Sequence, residues 1–184
     1  MEDISLHILD IVENSIRAEA KNVSIRIMED QKKDIFELEI RDNGRGMGKE
    51  LLEKVMDPFT TTKKAKKVGL GLALLEEAAR AACGSVNVES KEGSGTAIKA
   101  QFQLSHIDRK PLGNIDETLL CLMTTCQDVT LVYEHIRDGK TCRLDTALLR
   151  AKAGAIPLHS PEGIHFLKEQ IKQCFERIDV KINR

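Results

Sequence analysis

The amino-acid sequence predicts an α+β protein, a two-layer α/β sandwich followed by a small mixed C-terminal extension. Three observations predict this class. The chain opens with an amphipathic helix, its early strand-like stretches come as two hairpins, and a second apolar helix separates the hairpins. Antiparallel hairpins and one-sided helices pack most simply as a sheet with helices on one face.

The first predicted helix, residues 5–20, has one apolar and one polar face. At 3.6 residues per turn its apolar side chains share one arc: Ile4, Ile8, Ile11, Val12 and Ile16. Asp10, Asn14 and Arg17 lie on the other arc, at the i, i+4, i+7 spacing that stacks side chains on successive turns. An acid, an amide and a cation in one line suit Mg²⁺ and a polyphosphate. A polar stripe is more often only a solvated face.

Charge, hydropathy and cysteine usage exclude several classes of protein. The 28 Lys and Arg residues against 29 Asp and Glu give a net charge of -1, without an overall attraction to nucleic acid or anionic membranes. No apolar run is long enough to cross a bilayer, and the first residues, MED, are acidic where a secretory leader is basic. The five scattered cysteines form no C-x-x-C pair. We therefore expect reduced thiols and a cytoplasmic protein.

The first predicted hairpin leads into a glycine-rich junction. Period-two alternation marks strands at residues 22–28 and 34–41. The second strand continues into Asp42, Gly44 and Gly46, written DNGRG. Glycines let a backbone approach a ligand closely, and an aspartate can accept a hydrogen bond from an exocyclic amine. An ordinary glycine-rich turn is the alternative interpretation.

A basic loop follows a short helix predicted at residues 49–56. Residues 59–67, FTTTKKAKK, lack apolar periodicity and lead into VGLGL at 68–72. The pattern predicts a mobile loop hinged on glycines, then a helix over 72–83 whose N-terminus attracts anions. A solvated lysine loop explains the loop equally well. Strands at 85–90 and 97–104 are expected to form the second hairpin.

Together these segments resemble the GHKL superfamily of ATP-binding domains, which includes DNA gyrase, a heat-shock chaperone, histidine kinases and MutL. Residues 1–105 carry the resemblance. The N box is similar to LDIVENS at residues 9–15, and the glycine motifs to DNGRG at 42–46, GLGL at 69–72 and GSGT at 93–96. Each motif is weak alone, but four in this order form a specific pattern. The resemblance implies a Bergerat-type fold with ATP and Mg²⁺ as ligands.

The resemblance also implies a role for each motif. Asn14 would coordinate Mg²⁺, and Asp42 would read the adenine amino group with Thr96 beside it. Gly44 and Gly46 would let the base lie under the backbone.

The phosphate end follows from the same resemblance. Residues 60–68 would form the ATP lid, with Lys63 or a neighbouring lysine closing over the phosphates and Arg17 near the γ-phosphate. The remaining residues implied to contact nucleotide belong to the last two glycine motifs: Gly69, Leu70, Gly71, Leu72 and Gly95.

Asp10 decides between mechanisms within this resemblance. Gyrase-like and MutL-like ATPases and anti-sigma serine kinases carry a glutamate base at this position, whereas histidine kinases carry an asparagine. An aspartate is shorter but can still deprotonate water or a hydroxyl. ATP hydrolysis or Ser/Thr phosphorylation is therefore favoured over histidine phosphorylation. An aspartate near the metal, or one merely on the helix surface, is the alternative role.

The layout suggests two classes of function. Because no helical hairpin precedes the N box and no transducer domain follows, the layout is most similar to the anti-sigma serine kinases, by analogy. The first hypothesis is a regulatory ATPase or Ser/Thr kinase. The second is a nucleotide-dependent switch that recruits a protein through its C-terminal half. The partner and the oligomeric state, a homodimer included, stay open.

The composition shifts at His106, so residues 106–184 are predicted to form the extension. Asn114 begins a capping box and a helix that ends near residue 125. Strands at 128–135 and 141–144 flank an Asp-Gly turn, and helices follow at 146–153 and 161–178. We expect His135, His159 and His165 at the surface or in loops. A regulatory lobe, a docking surface, an extension of the sheet and a structural cover all stay open for this half.

Overall fold

A computed structural model describes residues 3–53 and 70–180, with Leu70 described by its backbone alone. In chain order the described elements are α1 (Ile4–Arg17), β1 (Asn22–Asp30), β2 (Ile35–Asp42), α2 (Lys49–Leu52), α3 (Leu70–Ala81), β3 (Ser85–Lys91), β4 (Gly95–Gln103), α4 (Ile115–Thr125), β5 (Thr130–Arg137), β6 (Lys140–Asp145), α5 (Thr146–Ala153) and α6 (Pro161–Glu176).

The strands form one mixed sheet in the order β3-β4-β2-β1-β5-β6. Neighbouring strands are antiparallel except β1 and β5, which run parallel. The sheet is therefore continuous across residue 106, and β5 and β6 extend it beyond β1. The predicted division of the chain at that residue stays a prediction.

The sheet has one covered and one polar face. Alternate strand residues such as Ile25, Leu38 and Tyr133 are buried in a core shared with the helices. On the other face Arg26 pairs with Glu134 at 3.1 Å, with further ion pairs nearby. The predicted two-layer sandwich is confirmed.

Helix α1 matches the predicted amphipathic pattern. Ile4, Ile8, Ile11 and Val12 are buried, and Asp3 caps the helix by accepting a hydrogen bond from the amide of Leu6 at 3.0 Å. The helix ends at Arg17, three residues before the predicted end. The chain leaves it through Glu19, whose φ of 63° cannot continue a right-handed helix.

The C-terminal half contacts the start of α1. The carbonyls of Pro111 and Leu112 accept hydrogen bonds from the amides of Ile4 and Ser5, at 2.9 and 3.0 Å. Helix α4 packs against both α1 and α6. It begins after Asn114, as predicted, but the Asn114 side chain makes no capping hydrogen bond, so the predicted capping box is wrong.

A disulfide joins β6 to α6, contrary to the predicted reduced thiols. Cys142 and Cys174 are both buried, and their Cα atoms are 5.1 Å apart. They are 32 residues apart in the chain, so only the packing of α6 on the last strand brings them together. The remaining three cysteines are free thiols.

His135 is fully buried, so its predicted surface or loop position is wrong. Its Nε2 lies 2.8 Å from Oε1 of Glu29, and its Nδ1 lies 2.9 Å from the Tyr133 hydroxyl. Burial alone would raise the pKa of Glu29, but the hydrogen bond from His135 and the charge of Arg137 bring that pKa below its ordinary value. His159 and His165 are exposed, as predicted.

The boundaries of α2, α3 and α6 also differ from the sequence prediction: α6 ends at Glu176, two residues before its predicted end. α2 ends at Leu52 within the described residues, and the remainder of the predicted helix lies outside them. α3 begins at Leu70, two residues earlier than predicted, so Gly71 lies in its first turn. Along the described ranges, no helix has the length and apolar character needed to cross a membrane.

Candidate functional site

Asp42 lies at the end of β2 and is held by two hydrogen bonds. Its Oδ1 accepts from the backbone amide of Gly44 at 2.8 Å, and its Oδ2 accepts from the Ser15 hydroxyl at 2.8 Å. Each carboxylate oxygen retains a lone pair for another donor. The side chain is only half-buried and is therefore accessible to a ligand.

Thr96 is the cross-strand partner of Asp42, so sheet register places these two predicted residues together. The Thr96 hydroxyl lies 2.9 Å from the Ser90 hydroxyl, and Ser90 also accepts a hydrogen bond from the amide of Met47 at 2.8 Å. Asp42, Ser90, Gly95 and Thr96 line part of an open cavity of about 320 Å³. A polar pocket therefore adjoins the glycine-rich junction.

The chain's own packing requires the glycines of this junction. A Cβ on Gly46, whose φ is +65°, would lie 2.1 Å from the carbonyl oxygen of Lys91. One on Gly95 would lie 2.0 Å from the carbonyl oxygen of Asp42. One on Gly44 would meet the Ala18 carbonyl at 2.7 Å. Their predicted role toward a base stays a prediction.

The predicted polar line on α1 is a connected hydrogen-bond chain. Asn14 Nδ2 donates to Asp10 Oδ2 at 3.3 Å, and Arg17 Nη1 donates to Asn14 Oδ1 at 2.7 Å. Arg17 Nη2 also donates to Glu13 Oε2 at 2.6 Å. A carboxylate, an amide and a guanidinium therefore lie side by side on an accessible helix face.

Asp10 lies against the first turn of α3. A Cβ on Gly71 would lie 1.9 Å from Asp10 Oδ2, so glycine leaves room for the Asp10 carboxylate in this position. The positive end of a helix dipole favours a carboxylate at this position. Asp10 thus links two motifs, the N box and the GLGL segment, that are far apart in the chain.

Other predicted phosphate contacts are described only in part. Lys63 and Gly69 lie outside the described residues, as does the whole of the predicted ATP lid. Leu70 is described by its backbone at the start of α3, and the half-buried Leu72 packs against the core. The structure therefore tests neither the lid nor its lysine.

Sequence reasoning missed several polar residues at this site. Ser15 orients Asp42, Ser90 holds Thr96, and Glu13 holds Arg17. His7 is 1% exposed, and its ring nitrogens have no hydrogen-bond partner of normal geometry. Burial lowers the pKa of His7, although the nearby Gly71 backbone opposes this shift. Glu13 and Ser15 carried one signal, because they flank the candidate metal ligand Asn14 within the N box.

These residues fit an adenine nucleotide and Mg²⁺ chemically. Asp42 supplies an oriented acceptor for an exocyclic amine. Asn14 supplies an amide oxygen, a ligand type that Mg²⁺ accepts, and Arg17 supplies a cation for phosphate oxygens. The Ser15–Asp42 hydrogen bond fixes the two ends of this donor set relative to each other.

The fold and site together define a class of ATP-binding domain. Residues 2–106 match the family model described as "Histidine kinase-, DNA gyrase B-, and HSP90-like ATPase". The match covers more than half of the sequence, and the chain belongs to this family.

Three curated relatives are bacterial histidine kinases. An NtrY-like sensor histidine kinase of Rickettsia conorii is 28% identical over 110 residues, which are 60% of this chain and 18% of that protein. The signal transduction histidine-protein kinase AtoS of Escherichia coli is 39% identical over 50% of this chain and 15% of its own. Sensor histidine kinase WalK of Bacillus subtilis is 31% identical over 53% and 17%. The chain spans less than a fifth of each relative's length.

A solved structure extends the likeness in fold. The crystal structure of the N-terminal domain of a DNA repair protein superposes with a TM-score of 0.57 at 15% identity, over 86% of this chain and 59% of that one. This coverage is more than residues 2–106 can supply. The shared fold therefore includes part of the C-terminal half.

Proposed function

We propose that the chain binds Mg²⁺·ATP between the polar face of α1 and the Asp42 end of the sheet. It then hydrolyses ATP or transfers the γ-phosphate to a protein serine or threonine, as a regulatory enzyme. One observation carries this proposal: the Ser15 hydroxyl of the N-box helix donates to Asp42 at 2.8 Å. This contact joins the candidate adenine acceptor to the helix that carries the candidate metal and phosphate residues.

In this proposal each end of the site has its own residues. Asp42 and Thr96 recognise the adenine edge, and Asn14 holds Mg²⁺, which would offset phosphate charge when bound. Arg17, Lys63 and the amides of residues 69–72 contact the phosphates, with the dipole of α3 supporting them.

Asp10 is proposed as the general base. Its carboxylate lies beside Asn14 Nδ2 and the first turn of α3, and so between the proposed metal and phosphate groups. A carboxylate so placed can take a proton from water or from a serine or threonine hydroxyl. The resemblance to enzymes that carry an acidic base at this position supports the assignment.

A specific contact favours a second function, a nucleotide-dependent switch. Pro111 and Leu112 bond the first amides of α1, and α4 packs on the same helix. Movement of α1 on nucleotide binding would therefore reach the C-terminal half, where a protein partner could dock. Tight binding without turnover would favour this function.

The first test is phosphate release from Mg²⁺·ATP by wild type and Asp10→Asn, with nucleotide affinity measured by calorimetry. We expect the variant to bind with near wild-type affinity and to lose about 100-fold or more in turnover. If both proteins bind and neither releases phosphate, the switch or a kinase that needs its substrate replaces the ATPase. If wild type binds no nucleotide, the proposal fails.

The metal assignment has its own test. Asn14→Ala is expected to abolish the Mg²⁺ dependence of ATP affinity, because the proposed amide ligand is gone. Asn87→Ala, on the edge strand β3, is the matched control. An Asn14→Ala protein that keeps the full Mg²⁺ dependence would place the metal elsewhere.

A further inference from the structure

Arg17 contacts the same Asn14 oxygen that is the candidate ligand for Mg²⁺. Arg17 bridges two acceptors, with Nη1 at 2.7 Å from Asn14 Oδ1 and Nη2 at 2.6 Å from Glu13 Oε2. The guanidinium therefore occupies the amide oxygen that is the candidate metal ligand. Its second arm is tied to Glu13, an N-box carboxylate to which the sequence motif assigned no role.

The Asn14 side chain cannot readily rotate to free its oxygen from Arg17. Its Nδ2 donates to Asp10 Oδ2 at 3.3 Å while its Oδ1 accepts from Arg17. A flip of the amide would break both hydrogen bonds and would point the NH₂ group at a guanidinium. Mg²⁺ and Arg17 are both cations, so they exclude each other at this oxygen.

We propose that Glu13 is a positioning residue that holds Arg17 on the candidate metal ligand until Mg²⁺·ATP displaces it. On binding, Arg17 leaves Asn14 and Glu13 and turns to the phosphates, and the metal takes its place. Glu13 thus lowers nucleotide affinity by stabilising the ligand-free arrangement. This inference rests on the proposed function, because it needs Mg²⁺·ATP to bind at α1.

The side chains are free enough for such a movement. Arg17 and Glu13 are 50% and 47% exposed, so neither is confined by packing. The attraction within an exposed ion pair at i, i+4 spacing is weak, which sets the size of the effect. Glu13→Gln should raise the affinity for Mg²⁺·ATP about twofold.

Glu76 and Arg80 provide a matched control pair on α3. They form an ion pair at the same i, i+4 spacing, with Arg80 exposed and Glu76 partly buried, and no candidate ligand lies between them. Glu76→Gln should therefore cost at least as much thermal stability as Glu13→Gln. Only Glu13→Gln should change nucleotide affinity.

The decisive experiment is a double-mutant cycle on the full chain, with Mg²⁺·ATP affinity measured by calorimetry. The proteins are wild type, Glu13→Gln, Arg17→Gln and the double variant, with Glu76→Gln as control. We expect Glu13→Gln to tighten binding in the wild-type background and to have no effect when Arg17 is replaced.

Other results would overturn the inference. Equal affinities of wild type and Glu13→Gln would show that Glu13 does not restrain Arg17. Tighter binding in both backgrounds would show a general charge effect that does not act through Arg17. If wild type binds no Mg²⁺·ATP, the proposed function fails and the inference fails with it. If wild type binds and the cycle shows no coupling, only the inference fails.

Discussion

The two halves of the sheet use polar side chains in opposite ways. In the half formed by β3, β4, β2 and β1, Asp42 at the end of β2 and Asn14 on the covering helix α1 are both accessible to a ligand. In the half formed by β5 and β6, Tyr133 and His135 are buried and bond to each other, and His135 also bonds to Glu29 of β1. Polar groups that await a ligand stay accessible, whereas those that stabilise the fold satisfy one another out of water.

The two halves of the sheet also differ in covalent cross-linking. The Cys142–Cys174 disulfide lies in the second half, beside Phe175, whose ring centroid is 6.0 Å from that of Tyr133. The first half is held at its site by single hydrogen bonds such as Ser15–Asp42. Changes in the second half should therefore act mainly on stability, and changes at the site of the first half should act mainly on binding.

Removal of the disulfide should give the largest effect. Cys174→Ala opens a loop of 32 residues, so the free energy of unfolding should fall by about 3–4 kcal/mol while nucleotide affinity stays unchanged. Urea denaturation with and without reductant measures this, since reductant should destabilise wild type but not the variant. Cys121→Ala, at an exposed thiol, is the control. A loss of nucleotide affinity in Cys174→Ala would contradict the separation of stability and binding between the two halves.

Asp42→Asn should have the next largest effect. An amide cannot accept hydrogen bonds on both of its terminal atoms, so the carboxylate's recognition of the adenine amine is lost. Affinity for ATP should fall about 100-fold by calorimetry. Asp138→Asn, at a turn of the other half with a φ of 47° that asparagine tolerates, should bind normally. Unchanged affinity of Asp42→Asn would remove the adenine assignment.

Ser15→Ala tests whether the hydrogen bond from Ser15 to Asp42 supports nucleotide binding in the first half. Without the hydroxyl, Asp42 keeps only the Gly44 amide as a donor, so ATP affinity should fall about tenfold. Asp42→Asn should mask this effect, because both changes act on one hydrogen bond. Ser24→Ala on β1 is the control. Additive losses in the double variant would show that Ser15 acts elsewhere.

The smallest predicted effect is a pH dependence in the first half. Burial lowers the pKa of His7 below its ordinary 6.5, so the unfolded chain binds a proton more readily than the folded one. Stability should therefore decline as the pH falls below about 6.5. His7→Leu should flatten this slope in urea denaturation between about pH 7 and about pH 5, and His165→Gln should not. An unchanged slope in His7→Leu would assign it to other groups.

Local patterns predicted most of the secondary structure but not its assembly. The apolar arc of α1 and the period-two runs are local signals, and they identified the two layers. The parallel pairing of β1 with β5 has no local signal, because it depends on the register of residues more than a hundred positions apart. The burial of His135 against Glu29 follows from that pairing, and the disulfide follows from the packing of α6 on β6; both were missed because neither contact is local.

Sequence motifs predicted the main residues of the candidate site but not the residues that position them. Motif order identified Asp42, Thr96 and the α1 line, and cross-strand register then placed the first two together. Ser15 and Glu13 lie within the N-box helix but have no distinctive spacing, so only the three-dimensional contacts give them roles. Tertiary partners cannot be deduced from the type of a single residue.

The parallel contact between β1 and β5 also constrains the order in which the chain can mature. Asn22 of β1 lies opposite Thr130 of β5, so one edge of the first hairpin stays unpaired until the later strand has been synthesised. Contacts of such long sequence separation form slowly, and an open strand edge invites pairing with other chains. Translation past β5, or a chaperone that shields β1, would therefore protect the nascent protein from aggregation.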